Sequence, residues 1–209
     1  MAPEPIVLIG AGGHAAACID VVEQHGGFHV AALVGTAAEV GTRVLGYPVV
    51  GGDEQLAGLA GRYRNALVAV GHIRTSEPRI RLFATLVELG YVLPVIVSPR
   101  AYVSPHASVG SGTIVMHGAV VNANAHVGRN CILNSMSLVE HDAIIGDHCH
   151  LATAAAVNGG AFVGARSFVG SQSSVREKVR IGDDCLIGMG CRVLHDCAAG
   201  TRVTGQGER

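Results

Sequence analysis

The stretch VEHDAIIGDHCHLATAAAVNGGAFV, residues 139–163, decides the fold. An aliphatic residue returns at every sixth position (Val139, Ile145, Leu151, Val157, Val163), and a small one stands four residues after each (Ala143, Cys149, Ala155, Ala161, Ser167). A period of six suits neither an α-helix, with its 3.6 residues per turn, nor a two-sided strand, whose side chains alternate. It suits a triangular coil of short parallel strands, three hexads to a coil, with both rows directed into one narrow core.

Read outward, the pattern runs from Val103 to Thr204 with no insertion and weakens only at Ala199. Gly110, Gly128, Gly146, Gly164, Gly182 and Gly200 recur every 18 residues, once per coil, where a turn is expected to need a backbone without Cβ. Five of the six cysteines (131, 149, 185, 191, 197) fall in the small row. There they serve as compact hydrophobes, and no Cys-x-x-Cys suggests a metal or redox site. Residues 98–209 therefore read as an all-β parallel β-helix.

The preceding residues change period. Ile6 to Ile9 forms a short apolar strand that runs into Gly10-Ala-Gly-Gly-His-Ala15, followed by a helix over Ala16 to Gln24 and a second strand over Val30 to Val34. Gly10, Gly12 and Ala15 fit the G-x-G-x-x-G/A form, in which glycines let a phosphate approach a helix N-terminus; an empty strand-to-helix turn fits them too. A third strand over Leu67 to Val70, a helix over Arg74 to Leu89 and a strand over Val92 to Val97 complete a small Rossmann-like α/β lobe, residues 1–97. At the end of the second strand, where dinucleotide sites carry an acid for the ribose, the chain reads Val34-Gly35-Thr36, so no nicotinamide cofactor is expected. Asp53 and Glu54 read as a helix start.

With 15 basic and 16 acidic residues the net charge is −1, which leaves no footprint for nucleic acid or anionic lipid. No apolar run reaches the ~18 residues of a membrane span, and Met1 to Pro5 carry no basic leader, so a cytoplasmic protein is expected.

One face of the coil carries chemistry. Asn122, Glu140 and Asn158 lie 18 apart and should stack, as should Asn124, Asp142 and Gly160, with Ala123, His141 and Gly159 between them. His141 thus lies between two residues too small to cover it and beside two carboxylates, which is the composition of a general base. A solvated turn histidine has the same sequence. Asn134, His150 and the backbone N–H groups of Asn158-Gly159-Gly160 add donors that could face an oxyanion.

A hexapeptide coil behind a lobe that begins Gly-x-Gly-Gly-His, with Asn134-Ser-Met-Ser-Leu-Val-Glu-His141-Asp in the coil, resembles the sugar-nucleotide acetyltransferases, among them the bacillosamine-pathway and sialic acid O-acetyltransferase-like proteins. The resemblance implies a left-handed β-helix, a homotrimer with sites between subunits, acetyl-CoA as co-substrate without a metal, and a nucleotide-linked amino-dideoxy sugar as acceptor. It also implies roles: His141 as proton acceptor, Asp142 as the acid that tunes it, and Asn134 near the sugar amine. By the same likeness, His150, Gly159, Ser171 and Met189 face acetyl-CoA, while Gly12, Gly13, His14 and Gly71 face the nucleotide. Relatives with an Asp pair after the second strand differ from the Gly35-Thr36 found here, which favours guanine over uracil and a GDP-linked 4-amino sugar of the perosamine kind. The chain ends Gly205-Gln-Gly-Glu-Arg209, without the Gly-x-Pro-Ala tail common in hexapeptide acyltransferases.

Other readings remain open at this point: an O-acyltransferase, another acyl donor, a zinc-dependent carbonic-anhydrase-like trimer, or a nucleotide-binding trimer without catalysis. The zinc reading lacks the His-x4-His pair expected of it.

Overall fold

The structure, a computed structural model, describes residues 2–205; of the C-terminal tail, Gln206 to Arg209 lie outside the described residues. Strands β1 (Glu4–Ile9), β2 (Phe28–Val34), β3 (Arg43–Val44), β4 (Tyr47–Gly51) and β5 (Asn65–Val68) form one sheet in the order β3-β4-β2-β1-β5. β1 lies between β2 and β5, parallel to both, and its Ile6 to Ile9 are buried on both faces, as an uninterrupted apolar run requires. Helices α1 (Gly13–His25), α2 (Leu56–Ala60) and α3 (Glu77–Glu88) cover the sheet, and Gly26 closes α1 in the left-handed conformation at φ 74°.

Two expectations are corrected in this lobe, and one element is new. The third helix begins at Glu77 rather than Arg74, with Pro78 in its first turn, where the missing N–H costs no hydrogen bond. Val92 to Val97 is not one strand. Pro94 has no N–H to give a ladder, so Val92 only bridges Asn65, and Ile96–Val97 turns away to pair with Ile114–Val115 of the coil. The β3–β4 hairpin was not anticipated; its turn at Leu45-Gly46 adopts positive φ at both residues.

From Ile96 onward the chain winds a left-handed parallel β-helix of two-residue strands. The first face stacks seven strands from Ile96–Val97 to Arg202–Val203, the second six from Tyr102–Val103 to Arg192–Val193, and the third five from Ser108–Val109 to Arg180–Ile181. In each strand the second residue points inward, and these side chains form one core with the small row. Corner residues six apart, among them Asn124, Asn130, Asp142 and His148, take φ near 60°.

The recurring glycines have a different reason from the one expected. Gly110, Gly128, Gly146, Gly164 and Gly182 do not adopt positive φ; they lie on the backbone of the next coil, so a Cβ on Gly146 would sit 2.6 Å from the Ala165 nitrogen. Gly200 does not join them. The last coil is two residues shorter than the hexads predict: Ile181 pairs with Cys197 and Ile187 with Val203, each sixteen residues on instead of eighteen. Gly182 therefore stacks on Ala198-Ala199, and Gly200 is an open turn residue at φ 74°. Cys197 accordingly takes the position of an aliphatic leader rather than one in the small row.

The lobe sits on the first face. Ile96, Ile114, Met116 and Ile132, outward on the coil, merge with Leu8, Ile19 and Leu67 in a second core. In the next two coils the outward residues change to His150 and Phe168, and the contact opens into a cleft.

Candidate active site

The cleft has a volume of about 1020 Å³ and lies between the C-terminal ends of β1, β2 and β5 and the first face of the coil. Its middle is the start of α1. Gly12 caps this helix without a side chain, so the first-turn amides of Gly13 and His14 open on the cleft with the positive end of the helix dipole behind them. Gly10 must lack a side chain, because at φ 128° its Cβ would lie 2.8 Å from the Ala69 carbonyl oxygen.

One end of the cleft is built from histidines. His150 Nδ1 lies 2.7 Å from the carbonyl oxygen of His72. A carbonyl only accepts, so Nδ1 carries the proton and Nε2 is left as an acceptor, 3.5 Å from the Asn134 amide nitrogen. Asn134 holds its own orientation by accepting the Ser135 N–H at 2.8 Å. Burial lowers His14 and His72 to about 3 and His150 to about 4, so this end is neutral at physiological pH. Both ring nitrogens of His72 and Nε2 of His14 are buried without a partner among the described residues. The other end, past β2, carries Glu39, Asp53 and Glu54, with Arg81 3.7 Å from the Asp53 carboxylate.

The His141 constellation lies elsewhere, on the corner between the second and third faces. His141 Nδ1 is 2.8 Å from Asp142 Oδ2, and Asp142, at φ 60°, folds its carboxylate back onto the preceding ring. The hydrogen bond that His141 donates to Asp142, more than the charges of Asp142 and Glu140, raises His141 above its ordinary value, and the same bond lowers Asp142. The two expected ladders form: Asn122 donates to Glu140 at 2.9 Å and Asn124 to Asp142 at 3.3 Å. The imidazole lies across Gly159, where a Cβ would be 2.8 Å from Cε1 and Nε2. Of the three backbone donors expected here, Asn158 N–H is bound to Val175 and Gly160 N–H to His141, which leaves Gly159 N–H for a ligand.

Ser171 and Met189 stack one above the other on the corner between the first and second faces, the corner that also carries Asn134, and Met189 is 77% exposed. The structure thus gathers Gly12, Gly13, His14, Gly71, Asn134 and His150 around one cleft. It leaves His141, Asp142 and Gly159 one corner away, across the strand Leu138–Val139. Sequence reasoning passed over Thr36, Glu39 and His72 as site residues, and took Asp53 and Glu54 only as a helix start. His72 and Glu39 had a usable signal: both follow the C-terminal end of a strand in an α/β sheet, where ligands gather.

The PglD N-terminal domain family matches residues 5–83. Together with the coil and cleft, this defines a class: the chain belongs to the hexapeptide-repeat acyltransferases that carry a PglD N-terminal domain. Within that class it is closely related to GDP-perosamine N-acetyltransferase. The perosamine N-acetyltransferase from Caulobacter crescentus, solved in complex with CoA and GDP-perosamine, is 35% identical over 96% of this chain and 93% of that one, with a TM-score of 0.89. The acetyltransferase domain of PglB from Neisseria gonorrhoeae, solved in complex with acetyl coenzyme A, is 28% identical over 97% of both chains, TM-score 0.88. WeeI from Acinetobacter baumannii, 22% identical over 97% of both chains, shares the fold with a TM-score of 0.85.

Proposed function

We propose that this chain transfers the acetyl group of acetyl-CoA to the amino group of a GDP-linked amino sugar of the perosamine kind, with His141 as general base. The observation that carries the reading is the His141 pair. With Nδ1–H directed at Asp142, Nε2 presents a lone pair above Gly159, where no side chain blocks an approaching amine. The solved relatives with CoA and GDP-perosamine, or with acetyl coenzyme A, support the choice of ligands.

The sugar nitrogen attacks the thioester carbonyl while His141 Nε2 accepts its proton. The tetrahedral oxyanion is held by the Gly159 N–H, the C–S bond breaks, and CoA leaves as the thiol, taking from His141 Nε2 the proton that the amine gave up. Asn134 orients the sugar; His150, expected to face acetyl-CoA, lines the cleft beside His72, and we assign its Nε2 acceptor to the sugar as well, while Ser171 and Met189 line the path of the CoA chain. The nucleotide diphosphate rests on the Gly12-Gly13-His14 turn, with Gly71 beside it.

These two groups sit on different corners of one coil, so the site needs a second copy: the His141 corner of one subunit faces the cleft of its neighbour in a homotrimer.

The test is thiol release from acetyl-CoA with GDP-linked and UDP-linked 4-amino-4,6-dideoxy sugars. Release with the GDP sugar, reduced on the order of 10²–10⁴-fold in His141→Asn, is expected. Release with neither sugar would overturn the reading.

A further inference from the structure

Nucleotide-binding α/β folds place an acidic residue at the end of the second strand to accept the ribose hydroxyls. Here that position is Gly35, yet the space beside it is not empty. A Cβ on Gly35 would stand 3.0 Å from Oε2 of Glu39, 3.0 Å from Cγ1 of Val49 and 3.1 Å from Cβ of Ala11, so the carboxylate of Glu39 lies against the place a side chain at 35 would start from. The chain delivers the acid from four residues downstream.

The delivery is built. Oε2 accepts the N–H and the hydroxyl of Thr36, each at 2.8 Å. The Glu39 backbone is tied in turn: its N–H donates to the Thr36 carbonyl at 2.9 Å, and its carbonyl accepts the Thr42 N–H at 3.0 Å and the Thr42 hydroxyl at 2.6 Å. The next turn is anchored by Gly41 N–H on the Val49 carbonyl at 3.0 Å. The Thr36 donors hold Glu39 ionised by lowering it below its ordinary value. Oε1 has no hydrogen-bond partner among the described residues, and Glu39 is one of the residues that line the cleft.

Direction along the cleft follows from the sheet. β2 and β5 flank β1, and the start of α1 follows β1. A diphosphate on α1 therefore has two ways to extend: toward β5, where His72, His150 and Asn134 adjoin the coil, or toward β2, where Glu39 stands. The sugar must reach the coil to meet the acetyl group, which sends the nucleoside toward Glu39.

We propose that Glu39 is the ribose-binding acid of this protein, accepting the ribose hydroxyls through the free oxygen of a carboxylate pre-oriented by Thr36. The inference rests on the nucleotide-sugar reading of the cleft. A plain turn cap would use the same Thr36 bonds, so the experiment must separate binding from folding.

The experiment measures binding of GDP and 2′-deoxy-GDP by calorimetry to the wild-type chain and to Glu39→Gln, which keeps the shape of the side chain, with thermal unfolding in parallel. We expect Glu39→Gln to weaken GDP on the order of ten- to a hundred-fold, the range of a hydrogen bond to a charged group. We expect the wild type to prefer GDP over 2′-deoxy-GDP by a similar factor, and the variant to bind both alike. In Gly35→Asp/Glu39→Ala, which moves the acid to the strand end, part of the ribose preference should return. A variant that loses thermal stability yet keeps the wild-type preference would make Glu39 a turn cap and overturn the proposal. A wild type that binds GDP and 2′-deoxy-GDP equally would also overturn it. No GDP binding by the wild type would overturn the functional reading first, and the ribose assignment with it.

Discussion

Arg79 and Asn130, 51 residues apart, exchange hydrogen bonds across the boundary between the lobe and the coil. Arg79 Nε donates to the Asn130 carbonyl at 3.0 Å, and the Asn130 side-chain amide donates to the Arg79 carbonyl at 3.3 Å. The guanidinium is fully buried and meets no carboxylate among the described residues; its other bonds go to the carbonyls of Val68, at 2.6 Å, and Val70, at 2.9 Å. Burial lowers it to about 10, so it stays charged and holds three carbonyls.

Arg79→Met keeps the volume and removes the donors. Three buried carbonyls lose a partner, and a loss on the order of 3–5 kcal/mol is expected from denaturant unfolding. A variant as stable as wild type would mean that packing alone joins lobe and coil.

Asp142 sets the pH at which His141 works. A general base must be neutral, and the Asp142 bond raises the His141 value, so the acidic limb of kcat/KM should lie above the ordinary histidine value of 6.5. In Asp142→Asn the limb should move to lower pH while the plateau falls. An unmoved limb would assign it to another group.

Two glycines should respond in opposite ways. Gly146→Ala places a Cβ 2.6 Å from the Ala165 nitrogen and 3.0 Å from the Gly164 carbonyl carbon, and should cost about 2–4 kcal/mol because backbone cannot move aside as a side chain can. Gly12→Ala meets no atom within 4 Å and should leave stability within about 0.5 kcal/mol, while weakening nucleotide binding at the α1 turn. Unfolding curves and GDP titration of both variants check the contrast.

The histidine end of the cleft should make the fold acid-sensitive. His14, His72 and His150 protonate near 6.5 when unfolded but near 3 to 4 when folded, so the unfolded chain binds more protons throughout that window. Stability should therefore fall as pH drops from 6.5 toward 4, by roughly 1–2 kcal/mol per histidine at pH 5. His141, raised by Asp142, works in the opposite direction, but it is exposed. Urea unfolding at pH 7 and pH 5 tests this; equal midpoints would contradict burial of neutral imidazoles.

Mixing subunits tests the shared site. His141→Ala and Asn134→Ala should each be inactive alone. Co-refolded, they should recover a fraction of wild-type turnover if one subunit supplies His141 and its neighbour the cleft. No recovery would place both groups in the service of one chain.

The coil was legible because its constraint is local and repeats. Each hexad meets the same narrow core, so Val157 and Ala161 report the same geometry as Val139 and Ala143, and the register fails only where repetition stops. The two-residue shortening near Cys197 showed in the sequence only as the weak leader Ala199, since Cys197 and Val203 suit the small row and the aliphatic row alike in composition. The stacking of Asn124 on Asp142 and the bare floor at Gly159 followed from 18-residue spacing alone. The Val92 to Val97 segment misled because its apolar run outweighed Pro94, whose missing N–H decided the pairing.

The sequence by itself determined the periodic coil, the β-turn-helix-β lobe and the histidine with its acid, because each depends on residues a fixed interval apart. Only the tertiary structure decided that His150 belongs with His14 and His72 in the cleft, that His141 faces another corner, and that Glu39 lies against the place a side chain at Gly35 would start from. Those relations depend on how the lobe seats on the first face. That docking is set by shape and by the Arg79–Asn130 exchange, which no local period encodes.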